Sequence, residues 1–122
     1  MTAQVRYYPV ARVVDVHDGD TLRLDVDLGF STHAYVWIRL KGVRAPELRE
    51  PTGPQAKRDL ETWISTHAPD GLVRVDTFQV AGSAKEIREQ RTFIRYVGVI
   101  SAPDGSELYP WMVARGYVDQ GA

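Results

Sequence analysis

The chain has 122 residues, 43% of them apolar and 25% charged, with a net charge of −1 and no cysteine. That is the composition of one soluble globular domain, 1–122, with a single modest core, and it excludes disulfides and thiolate metal sites. No apolar run approaches the roughly 18 residues that span a bilayer. The first residues, Met1-Thr2-Ala3-Gln4-Val5-Arg6, also lack the charged-then-apolar order of a secretory signal, so a cytoplasmic location is expected.

In chain order, the valine-rich run from Pro9 to His17 reads as a first strand, and Asp18-Gly19 as a tight hairpin turn. Thr21 to Leu28 alternates strictly, which puts Leu22, Leu24, Val26 and Leu28 on one buried face of a second strand. Gly29 breaks the pattern and His33 to Val43 resumes it, with Ala34, Val36, Ile38 and Leu40 inward and Tyr35, Trp37 and Arg39 outward. The three runs form an antiparallel meander. The period then changes. Ala56, Leu60, Trp63 and Ile64 make one stripe of an amphipathic helix over 53–66, with Thr52 and Gln55 at capping-box spacing and Pro54 in the first turn. Pro69-Asp70-Gly71 closes it. Leu72 to Phe78 is a fourth strand and Arg91 to Ile100 a fifth, with a polar connection over 81–90. Asp104-Gly105 makes a turn, and Leu108 to Arg115 is a short helix ended by Gly116.

The expected fold is therefore mainly β (α+β). It is a five-stranded OB-fold barrel with a helix between strands three and four and a short C-terminal helix.

Charge is unevenly distributed. Residues 39–58 carry six basic and two acidic side chains, residues 85–95 four and two, and residues 15–27 five aspartates and one arginine. Two basic segments brought together by folding would attract a polyanion despite the neutral total. On charge alone, mixed solubility chemistry is the commoner explanation.

Arg39 lies outward on the third strand, Arg91 opens the fifth, and Glu47 follows Pro46 in a loop opened by Gly42. Two guanidinium groups and a lone carboxylate suit phosphodiester hydrolysis. Bidentate arginines stabilise charge that develops on the non-bridging oxygens, and a glutamate can take the proton of an attacking water. An isolated loop glutamate is more often a solvent-exposed charge; its companions change that reading. Asp18 and Asp20 flank a glycine, where plain turn chemistry is the simpler account. His17, His33 and His67 share no metal-ligand spacing and read as structural.

Taken in order, these residues resemble the staphylococcal-nuclease-like (thermonuclease) family over about Val10 to Gly116. The motifs are Asp18-Gly19-Asp20-Thr21, Arg39-Leu40, Gly42-Val43, Ala45-Pro46-Glu47, the helix start from Gly53 to Trp63, Arg91 before an aromatic-apolar strand, and Met112-Val113-Ala114-Arg115-Gly116. The resemblance implies an OB barrel and calcium-dependent hydrolysis of DNA and RNA. It implies Arg39 and Arg91 as phosphate-binding arginines, Glu47 as general base and Asp20 as ligand of Ca²⁺ or another divalent cation. Arg44 and Arg88, in the two basic segments, are the candidate further substrate contacts. The chain departs from the family at Arg44, where a second metal-binding aspartate is usual, at Ala45 in place of threonine, and at Gln90 in place of glycine before Arg91.

Two functions follow as expectations. One is a monomeric nuclease acting on single-stranded DNA or RNA. The other is a nucleic-acid-binding OB module without catalysis, in which Arg44 takes the cation's place.

Overall fold

The computed structural model describes residues 5–78 and 95–118. Five strands, β1 (Val5–Asp18), β2 (Thr21–Gly29), β3 (Thr32–Leu40), β4 (Leu72–Phe78) and β5 (Arg95–Ser101), close into one barrel in the order β1-β2-β3-β5-β4. A helix α1 (Gly53–His67) lies between β3 and β4 in sequence, and α2 (Leu108–Ala114) follows β5. All neighbours are antiparallel except β3 and β5, which run parallel through Trp37↔Arg95 and Arg39↔Val97. No helix of the described residues is long and apolar enough to cross a membrane.

Closure depends on β1, the longest strand. Ala11 pairs with Val26 of β2 on one side and with Val73 of β4 on the other. Irregularities at Val13/Asp15 and Val16/Asp18 coil the strand between its two partners. The interior is then small enough to be filled by side chains alone. Gly98 on β5 is part of that fit, because a Cβ there would stand 3.0 Å from Ile38 and 3.2 Å from Val75.

The core joins Leu22, Leu24 and Val26 of β2 to Ile38 and Leu40 of β3, Val75 of β4 and Ile100 of β5. Leu60 and Trp63 of α1 and Leu108 and Met112 of α2 are buried in the same cluster. The helical stripe at 56, 60 and 63 is the buried face of α1, as its period requires. After the helix, Gly71 takes a φ of +78° and its N–H donates to the Ala68 carbonyl at 2.7 Å. Val13 N–H then donates to the Gly71 carbonyl at 2.8 Å, fastening the turn to β1. His67 at the helix end pairs with Asp104 at 3.0 Å. The backbone N–H of Ser106, with His67 beside it, holds the Asp104 carboxyl down at about 2.

Three sequence expectations need correction. Leu28 does not share the buried face of β2 and is 44% exposed. The β2–β3 hairpin runs beyond the core, and its tip passes through Gly29, Phe30 and Ser31, all with left-handed φ. The capping box of Thr52 and Gln55 does not form. Thr52 has φ −96° and ψ 0° and makes no side-chain cap bond, while Gln55 donates instead to Asp59 at 2.9 Å. An N-cap hydroxyl reaches the helix N–H groups from an extended backbone, and the turn leading into α1 does not supply one. The third concerns length: β1 begins at Val5 and α2 ends at Ala114, one residue short of Arg115. The start expected for β5, at Arg91, lies outside the described residues.

These burials give opposite expectations for two apolar positions. Trp63→Ala, emptying a site 1% exposed, should cost about 3–5 kcal/mol. Leu28→Ala should cost within about 0.5 kcal/mol, as at other surface positions. Urea denaturation of the two variants beside the parent measures both; a large loss at Leu28 would contradict the hairpin's position.

Candidate functional site

At one end of the barrel the β1–β2 turn, the end of β3, the loop 44–47 and the start of α1 surround a cleft of about 770 Å³. Asp18, Asp20, Arg39, Arg44, Glu47 and Tyr117 are among its walls. The floor is organised by Asp20. Its backbone carbonyl accepts from Leu40 N–H at 2.8 Å, and its Oδ2 accepts from Ala45 N–H at 3.0 Å. Its Oδ1 accepts from the Thr21 hydroxyl at 3.0 Å, and its own N–H donates to Asp18 Oδ1 at 3.0 Å. The turn, the end of β3 and the loop that leads to Glu47 are thus fastened by one residue.

Gly19 explains why the turn can lie so close to α1. A Cβ there would stand 2.7 Å from that of Ala45 and 2.8 Å from that of Ala56. The glycine is required by close approach rather than by a left-handed φ. Gly53, at the first position of α1, plays the same part for the loop, since a Cβ would collide with the Glu47 carbonyl.

Arg39 faces the cleft from β3, paired across the sheet with Thr21, and its guanidinium is 3.9 Å from Asp20 Oδ2. Glu47 is exposed and pairs with the exposed Arg49 at 2.8 Å. Exposed ion pairs are weak, so this one leaves the Glu47 carboxylate exchangeable. Arg44 lines the same cleft. Of the residues singled out from sequence, Asp20, Arg39, Arg44 and Glu47 come together. Arg91 and Arg88 lie outside the described residues.

Three residues of the site were not singled out. Asp18, read as turn chemistry, is buried, and that burial raises its carboxyl above the ordinary 3.8, with Asp20 adding to the effect. Tyr117 closes one wall and donates its hydroxyl to Asp59 Oδ2 at 2.7 Å. Burial and that contact push its phenol up to about 12. The only sequence signal for Tyr117 is its place just after Gly116, whose φ of +91° ends α2. Asp59 shows none, since it is one of several polar residues on α1.

The donor set does not make a protein-built Ca²⁺ cage. Such a cage takes six to eight oxygens, and no three His, Cys, Asp or Glu side chains among the described residues gather to hold a metal. Asp20 already accepts a protein hydrogen bond on each oxygen. Burial favours the neutral form of Asp18, and Arg44 places a positive charge in the same cleft.

Comparison of the sequence with protein-family models and with curated proteins finds no match.

Two outcomes follow from the geometry. Gly19→Ala should cost about 1–3 kcal/mol through overpacking against α1 and the 45–46 loop, measured by denaturant unfolding. Asp18→Asn should stabilise the protein at neutral pH. A carboxyl raised in the folded state binds more protons there than in the unfolded chain, so stability falls as pH rises from 3.8 through the folded value. Asparagine keeps the acceptor for Asp20 N–H and removes the titration. Unfolding midpoints at pH 7 and pH 3 should therefore differ between variant and parent only at the higher pH; a less stable variant at pH 7 would overturn the assignment.

Proposed function

We propose that this chain is a small nuclease that hydrolyses phosphodiester bonds of single-stranded DNA or RNA, built on an OB-type barrel and similar in its motifs to the staphylococcal-nuclease-like family. The observation that carries the reading is the convergence of Asp20, Arg39, Arg44 and Glu47 on one cleft. Arg39 and Arg91 hold the scissile phosphate. Glu47 takes a proton from water as the water oxygen bonds to phosphorus, the bond to the leaving oxygen breaks, and solvent supplies that oxygen's proton. The arginines stabilise the charge that builds on the non-bridging oxygens. Asp20 would be the residue to hold Ca²⁺ or another divalent cation, which would supply further positive charge to the phosphate oxygens. Asp20 also fixes the distance between the Arg39 wall and the loop that carries Glu47.

A second reading, a nucleic-acid-binding module without catalysis, is favoured by one feature: Arg44 stands where a carboxylate ligand would help a cation.

Digestion of single-stranded DNA in the presence of divalent cation separates the two. Glu47→Gln should lower turnover about 10²–10⁴-fold, because the amide cannot take the water's proton, while binding is retained. Arg39→Ala and Arg91→Ala should reduce turnover and affinity together. Salt-dependent binding with no cleavage under any cation would establish the binding module instead.

A further inference from the structure

Every arginine side chain described in the structure makes a hydrogen bond, an ion pair or a ring contact except one. Arg12 donates to a carbonyl, Arg39, Arg49 and Arg74 face carboxylates, and Arg58 donates to Gln55. Arg23 and Arg115 lie over aromatic rings. Arg44, exposed and in the cleft wall, makes no ion pair and no side-chain hydrogen bond among the described residues. An arginine released from structural duty but held at a site is a phosphate-seeking group.

Its backbone, by contrast, is held on both sides. Val43 is fully buried and bridged to Val118. Arg44 N–H donates to the Tyr117 carbonyl at 3.3 Å, and the next N–H, of Ala45, donates to Asp20. The root of the side chain is therefore fixed while its charge is uncommitted. Less ordering entropy remains to be lost when a ligand is bound.

Two of the carboxylates around it are matched: Asp20 faces Arg39 and Glu47 faces Arg49. Asp18 and Glu50 are the other carboxylates in the wall. Arg44 is the second cation of that wall beside Arg39, and without it the cleft would be more negative still and less able to hold a phosphate.

We infer that Arg44, together with Arg39, forms a seat for a phosphodiester of single-stranded nucleic acid that needs no divalent cation. Arg44 supplies the positive charge that a metal ion would otherwise bring to the phosphate. The inference rests on the cleft being the phosphodiester site, and is independent of whether the phosphodiester is then cut.

The test is equilibrium binding of a fluorescein-labelled, mixed-sequence single-stranded oligodeoxynucleotide, by anisotropy, in excess EDTA and again with added Ca²⁺. The parent protein should bind in EDTA, with an affinity that Ca²⁺ changes less than about twofold. Arg44→Ala should weaken binding in EDTA about tenfold or more, the usual scale for a charge-assisted contact. It should also lower the salt slope by about 0.7, the share of one phosphate contact on a single strand. Arg44→Asp should bind still more weakly in EDTA and recover when Ca²⁺ is added. Both substitutions are at an exposed position, and unfolding midpoints equal to the parent's establish that they fold.

Binding by the parent only after Ca²⁺ is added, or an Arg44→Ala protein that binds in EDTA as well as the parent, overturns the inference. Digestion of the same strand, run in parallel, tests the nuclease reading separately. Cleavage without an Arg44 effect on binding leaves that reading standing and removes this one; an Arg44 effect without cleavage does the reverse.

Discussion

The cleft is held by the way Asp20 is tied into the structure. One short side chain and its backbone connect the β1–β2 turn, the end of β3 and the 44–47 loop through four hydrogen bonds of 2.8–3.0 Å. A buried carboxylate is stable in such a place only if donors reach it, and here the Thr21 hydroxyl and the Ala45 N–H do so from two different segments. Close approach makes this possible. Gly19 lets the turn touch α1, and Gly53 lets α1 begin beneath the Glu47 carbonyl. Arg39 then needs only the outward parity of β3 to face the same space. The wall that carries Tyr117 is set separately, through the Asp59 hydrogen bond and the Val43–Val118 bridge.

Much of the barrel was legible because its strands carry a period of two. β2 shows this best: the alternation from Leu22 to Val26 is the buried row. The same alternation misassigned Leu28, since periodicity reports which face a residue shares and is silent on where the strand leaves the core. The helix stripe was legible for the same kind of reason, and the capping pair beside it was not. Spacing placed Thr52 and Gln55 correctly for a box, but the box depends on a backbone conformation that the preceding turn sets.

The site divides along similar lines. Arg39 and Glu47 were legible from strand parity and from a glycine and a proline that shape the loop. Asp18 was read only as a turn former, because burial of a turn carboxylate depends on α1 packing over it. The Tyr117–Asp59 bond joins positions 58 apart, and neither residue belongs to a periodic pattern. Arg44 was legible as a departure in charge. That it lacks a partner among the described residues is a property of the fold, visible only once the other arginines have been matched to theirs.

The parallel pairing of β3 with β5 has a consequence for how the protein is made. Strands β1, β2 and β3 pair between neighbours in sequence and can assemble as the chain emerges. β3 gains its second neighbour only when residues 95–98 arrive, and Lys41 N–H, just past its end, finds the Gly98 carbonyl only then. Pairings of such sequence separation make folding slow, and until they form β3 is an unprotected edge able to pair with another nascent chain. The strand that presents Arg39 is thus the one most exposed during synthesis. A chaperone that shields the β1–β3 meander would raise the yield of this protein more than one acting on the finished barrel.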